Sequence, residues 1–173
     1  GPRAGPGPAG VFRSCPGLRD RGERRVRHRL DRGGSARPGL ELPHRLSHEH
    51  LDHIGAAYHF HGRSFIAAHR LAANKIMLRD DFSMLRKMFN EPNVPINVDL
   101  WLEEGNLIDL GDFRLTVMHT PGHTSACITL FEPYKGLLFA SDTLMPGGVM
   151  GGVFGSGSIA DYIQSLERLK GLN

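Results

Sequence analysis

The sequence predicts a mixed α/β fold, and three observations carry that expectation. Strand-sized apolar pieces separated by turn residues recur between Asn106 and Asp142. Two stretches, residues 70–89 and 159–169, space their apolar side chains as amphipathic helices do. The texture also changes abruptly near Ser47, from an Arg, Gly and Pro-rich segment to ordinary globular sequence.

Residues 1–46 hold 11 Arg against four acids (Asp20, Glu23, Asp31 and Glu41), a net of +7, while the remaining 10 Lys and Arg face 14 acids, a net of −4. The overall charge of +3 therefore belongs to the N-terminal segment alone. That segment contains no Lys, Ile, Met, Thr, Asn, Gln, Tyr or Trp and shows no period of 2 or 3.6, so no strand or helix is expected in it. A disordered leader, a wrong-frame start joined to a genuine domain near Leu46, and a basic arm for nucleic acid all fit this composition. The domain division is thus 1–46 as leader and 47–173 as folded domain. The chain opens on Gly-Pro rather than Met, as a processed tag or a fragment would.

From Ser47 onward the elements follow in order. "LDHIGAAYHF" suits a short helix and "SFIAA" (64–68) a buried strand. Residues 70–89 form one helix on the spacing of Leu71, Ile76, Met77, Leu85 and Met88–Phe89. "NEPNVPIN" is a loop. "NLIDL", "FRLTVMH", "SACITLF" and "GLLFASD", with turns at "GD" and "EPYKG" and a sharp "TPGHT", read as a β-meander. The glycine-dense "MPGGVMGGVFGSGS" is a loop, either a connector or a mobile flap over a site. Ser158 is an N-cap, and Ile159, Tyr162, Ile163, Leu166 and Leu169 form one apolar stripe turned to the core.

The two cysteines, Cys15 and Cys127, form no CxxC pair, which argues against a disulfide scaffold and a thiolate zinc site. No run of 18 apolar residues is present, so no membrane partner is expected, and cytoplasm is the default compartment.

The chemistry lies in "SHEHLDH". In an extended segment residues two apart face the same side, so His48 and His50 can reach one metal ion. If a helix follows, Asp52 and His53 swing to a neighbouring position and can serve a second ion. Imidazole and carboxylate suit zinc, with manganese and iron as alternatives. "HTPGHT" presents His123 from a rigid turn after a strand, and "LLFASDTL" puts Asp142 at the end of an apolar strand, where a carboxylate is costly unless paired or metal-bound. A chance histidine-rich turn, an ordinary turn histidine and a capping aspartate are the plain alternatives for the three motifs.

The succession "SHEHLDH", "HTPGHT" and "FASDTL" resembles the metallo-β-lactamase-fold hydrolase superfamily, nearest its glyoxalase II-like and broad-specificity branches, over roughly residues 46–173. The resemblance implies an αββα sandwich, incomplete at both ends, because the strands before the first motif and the last histidine ligand after the final helix have no counterpart here. It implies that His48, His50 and His123 bind one metal, that Asp52 and His53 bind a second, and that Asp142 bridges the two. His119 matches a position common in the family without being a ligand, and is expected to support the ligands from behind or to serve the fold alone. The implied reaction is hydrolysis of a thioester, lactone or related ester of a small molecule by hydroxide held between two divalent ions, with Asp52 orienting it. A mononuclear-iron persulfide dioxygenase, an RNA-processing nuclease and an inactive fragment are the competing readings. Oligomeric state is left open.

Overall fold

The computed structural model describes residues 25–27, 41–89, 95–111, 114–145 and 152–172. Among the described residues eight strands make two sheets. The first sheet is parallel: β2 (Glu41–Leu46) pairs with β3 (Ser64–His69), which pairs with β4 (Leu100–Leu102). In the second, β1 (Arg25–Arg27) lies parallel to β5 (Leu107–Asp109). An antiparallel meander continues through β6 (Arg114–His119), β7 (Ile128–Glu132) and β8 (Leu137–Phe139). A short turn at 133–136 joins β7 to β8, as Pro133 and Gly136 predict, while Asp112 of the expected "GD" turn lies outside the described residues.

The sheets pack face to face. Ala67 and Leu102 from the parallel sheet meet Ile108, Leu115, Val117 and Ile128 from the mixed one. The other face of β3, Ile66 and Ala68, is covered by α1 (Leu51–Ile54) and α2 (Arg70–Leu78) through Leu51, Ile54, Ala72 and Ile76. Burial on both faces explains why β3 reads as a continuous apolar run rather than an alternation. Helix α3 (Ile159–Lys170) lies against the turn after β6: the Ser165 hydroxyl donates to the Pro121 carbonyl at 2.6 Å. The Tyr162 hydroxyl donates to the Thr143 carbonyl at 2.7 Å. The result is the mixed α/β architecture, with two stacked sheets and helices, that the resemblance implies.

Four local features differ from the sequence expectation. Strands β1 and β2 fall within the first 46 residues, where none is expected; the rest of that segment's readings lie outside the described residues. Strand β2 survives the Pro43 that weakens its pattern because it is an edge strand whose register shifts between Glu41 and His44. Strand β4 has no precursor in the sequence reading, since three residues leave no periodicity to see. The helix at 70–89 stops at Leu78, where Arg79 adopts a left-handed conformation (φ 52°). Asp80 then takes the Ser83 N–H at 3.1 Å, forming a local turn that competes with the helix. Finally, α3 buries Tyr162, Ser165 and Leu169, leaving Ile159 and Ile163 more than half exposed. The helix is rotated from the predicted stripe because Tyr162 and Ser165 have specific hydrogen-bond acceptors.

Candidate metal centre

Three chain reversals deliver the site. Each follows a strand: Ser47–His50 after β2, Pro121–Thr124 after β6, and a single 3₁₀ turn, Ser141–Thr143, after β8. The first is tied to the mixed sheet by the Ile128 N–H donating to the Ser47 carbonyl at 2.9 Å. It is tied to the third by the Ser47 and Ser141 hydroxyls, 2.9 Å apart. Ser141 holds φ at 47°, an uncommon conformation for a residue with a side chain, and it aims its neighbour Asp142 at the histidines.

His48, His50 and His123 are all buried, and their ring nitrogens converge within 4.8 Å of one another. Nε2 of His123 is 2.9 Å from Nδ1 of His50. A second group consists of His48, His53 and Asp142. Oδ2 of Asp142 lies 3.3 Å from Nε2 of His53, 3.3 Å from Nε2 of His123 and 4.0 Å from Nε2 of His48. One carboxylate oxygen therefore reaches both groups, which is the placement a bridging ligand needs. Asp52 is in neither group. It stands on α1 with Oδ2 3.6 Å from Nε2 of His53, its side chain 45% exposed.

The donor set fits divalent metal. Ligand bonds of about 2.0–2.2 Å in a tetrahedron put neighbouring donor atoms roughly 3.3–3.6 Å apart, near the spacings around Asp142. Nε2 of His48 and Nε2 of His50 are buried and have no hydrogen-bond partner, so the fold encloses two polar atoms without satisfying them. Burial, reinforced by His53, His50 and His123, pushes the His48 pKa down to about 2. Burial and then His123 push that of His50 down to about 4, with Glu49, Asp52 and Asp142 pulling the other way. Both rings are therefore neutral at physiological pH, the form that binds metal. His123 is oriented in addition by Nδ1, which donates to the Gly152 carbonyl at 2.8 Å and leaves Nε2 with its lone pair facing the cluster.

These shifts set a pH dependence for the metal-free protein. His48, His50 and His69, the last also lowered to about 4 by burial, His119 and Arg70, all have folded values below the ordinary 6.5. Between 6.5 and the folded value the unfolded chain binds a proton that the native ring refuses. Stability is thus complete above pH 6.5 and falls as pH drops, by about 1.4 kcal/mol per pH unit for each such ring. Urea unfolding midpoints at pH 7 and pH 5 check this, and equal midpoints would refute the buried neutral cluster.

His119 lies outside both groups. Its ring stacks on His69 with centroids 4.2 Å apart, and its Nε2 is 2.9 Å from the Ser125 carbonyl oxygen, two residues beyond His123. Gly122 supplies the closest packing at the site. At φ 147°, a Cβ there would fall on Cα and Cβ of Tyr162 in α3. Gly122→Ala is expected to destabilise the protein by about 1–3 kcal/mol and to loosen the His123 turn. A fall in melting temperature with a parallel fall in bound zinc is the readout.

Two residues absent from the sequence reading stand directly behind the histidines. Glu49, between His48 and His50, is completely buried, and its Oε1 accepts from Nζ of Lys75 on α2 at 2.6 Å. The available signals were an acid flanked by two candidate ligands and a lone lysine among the apolar residues of 71–78. Neither spacing nor periodicity connects them.

Residues 46–173, more than half the chain, match the metallo-beta-lactamase superfamily domain. The chain is 30% identical over 152 residues to acyl-coenzyme A thioesterase MBLAC2 of Gallus gallus, covering 79% of this chain and 52% of that protein. It is 29% identical over 124 residues to hydroxyacylglutathione hydrolase GloC of Haemophilus influenzae, covering 70% of this chain and 58% of that one. The chain thus spans about half the length of the curated relatives it matches. Among solved structures, the protein TTHA1623 in a di-iron-bound form superposes with a TM-score of 0.62 at 26% identity, over 75% of this chain and 63% of that one. The BLEG-1 B3 metallo-beta-lactamase has the same fold at a TM-score of 0.60 and 21% identity, over 73% and 61% of the two chains. Domain match, relatives and fold agree that this chain belongs to the metallo-beta-lactamase superfamily.

Proposed function

We propose that this chain carries the metal centre of a metal-dependent hydrolase that cleaves a small-molecule thioester, or a related ester or lactone. The observation that supports it most is the Asp142 carboxylate oxygen lying within 3.3–4.0 Å of three imidazole nitrogens contributed by two different motifs. Thioester as the bond follows from the likeness to a relative named acyl-coenzyme A thioesterase. In this reading His48, His50 and His123 would hold the first ion, His53 with Asp52 would hold the second, and Asp142 would serve both. Divalent ions in such a site polarise a carbonyl oxygen and make water nucleophilic near neutral pH. Zinc is the first expectation; iron follows from the di-iron form of a structural neighbour, and manganese from the donor types.

The chain's own residues then do three things. Buried His48 and His50 close one side of the site while staying neutral. Asp142 supplies negative charge that offsets the ions. Asp52, exposed beside His53, can orient the attacking water and take its proton. Water adds to the thioester carbonyl, the C–S bond breaks, and the thiolate leaves to be protonated by solvent.

Elemental analysis of metal-loaded chain, followed by turnover of thioester, lactone and phosphodiester substrates, tests the reading. Thioester turnover should disappear with chelator and return with added zinc. A chain that takes up no metal under metal-replete conditions, or that cleaves only the phosphodiester, would overturn it. Among the described residues no helix is long and apolar enough to cross a membrane.

A further inference from the structure

The Glu49–Lys75 pair has a geometry that a merely structural ion pair does not need. Lys75 uses all three of its ammonium protons: on Glu49 Oε1 at 2.6 Å, on the Ser125 hydroxyl at 2.6 Å and on the Ser156 hydroxyl at 2.5 Å. Glu49 also accepts from the Ser156 hydroxyl at 2.8 Å and, through Oε2, from the Thr124 hydroxyl at 2.9 Å. Thr124 and Ser125 directly follow His123. Ser156 belongs to the described end of the glycine-dense loop, residues 152–158.

That loop is laid along the His123 turn by main-chain bonds. The Ser158 N–H donates to the Gly122 carbonyl at 2.9 Å, and the Phe154 N–H to the His123 carbonyl at 3.3 Å. Gly157 lets the strands of chain approach, since a Cβ there would meet the Gly122 carbonyl at 2.5 Å and also strike that of His123. The same loop presents the Gly152 carbonyl that receives Nδ1–H of His123. The sequence reading allows a free flap here; residues 152–158 are instead bound on both sides, by main-chain bonds to the His123 turn and by Ser156 to the ion pair.

We propose that Glu49 and Lys75 act as a positioning unit for His123: by gripping Ser156 they hold the 152–158 loop so that the Gly152 carbonyl fixes the Nδ1–H tautomer. Nε2 of His123 then offers its lone pair towards His50 and Asp142. The link matters because a free imidazole side chain favours the proton on Nε2, which would leave His123 pointing a proton at the cluster. The metal arm of this inference rests on the proposed metal centre; the tautomer arm stands without it.

The test uses the full metal-free chain labelled with 15N-histidine, read by long-range proton–nitrogen correlation, together with zinc titration against a chelator. Wild type should show His123 as the Nδ1–H tautomer. In Ser156→Ala, which leaves the ion pair in place, and in Lys75→Met, His123 should move towards Nε2–H and zinc affinity should fall roughly 10–100-fold. Where Lys75→Met fails to fold, Ser156→Ala decides. Retention of the Nδ1–H tautomer in a folded variant overturns the positioning role, whatever zinc does. A tautomer that moves as expected in a chain whose wild type binds no zinc leaves the clamp standing and overturns the metal centre instead.

Discussion

Replacing His48 by alanine should empty the first site and disturb the second, since His48 would hold the first ion and its ring also belongs to the His48–His53–Asp142 cluster. Losing an outer partner of a ligand typically weakens metal binding or activity 10–100-fold, so loss of an inner donor should exceed about 100-fold in both. Stability of the metal-free protein should respond in the opposite sense. The His48 ring is wholly buried with an unsatisfied Nε2, and enclosing such a group costs about 1–3 kcal/mol. Its removal eliminates that cost and one source of acid sensitivity, while opening a small void. Elemental analysis, hydrolysis of a thioester and urea unfolding at pH 7 and pH 5 measure the three effects. A His48→Ala protein that keeps its metal content would refute the site.

Lys75→Met should be the most destabilising single change, by about 3–5 kcal/mol, because it strands a buried carboxylate among partners arranged for a charged one. For a chain of this size that is a fall of roughly 10 °C in melting temperature. The double variant Glu49→Gln/Lys75→Met should recover most of the loss. It leaves no buried charge, and the glutamine amide can accept from one of the Thr124 and Ser156 hydroxyls through its oxygen and donate to the other through its NH2. Thermal and urea unfolding of the single and double variants decide this. A double variant no more stable than Lys75→Met would mean that packing, rather than an unpaired charge, sets the penalty.

Much of the site was legible because its chemistry is written locally. His48, His50, Asp52 and His53 fall within six consecutive positions, and a bend into α1 is enough to split them into two directions. His123 and Asp142 were legible for a different reason: each sits in the reversal just after an apolar strand, where a rigid scaffold can present a polar side chain. The misreadings also have local causes. The apolar positions at Leu85 and Met88 continue a helical period beyond Leu78, but Asp80 offers the Ser83 N–H a competing partner and the Leu51 N–H bonds to the Met84 carbonyl at 3.1 Å. On α3 the apolar stripe predicted a buried Ile159 and Ile163. Hydrogen bonds from Tyr162 and Ser165 turned another face inwards.

By itself the sequence determined the mixed α/β class, the meander, and a local set of residue types able to hold a metal, since period, turn chemistry and donor chemistry act over a few residues. Only the tertiary structure decided that one Asp142 oxygen faces three imidazoles and that Asp52 stands apart beside His53. It alone revealed that Glu49, facing away from its histidine neighbours, is joined through Lys75 to a loop more than 100 positions along the chain. Those outcomes depend on how two sheets and a helix stack, and burial is what gives a charge pair at such separation its strength.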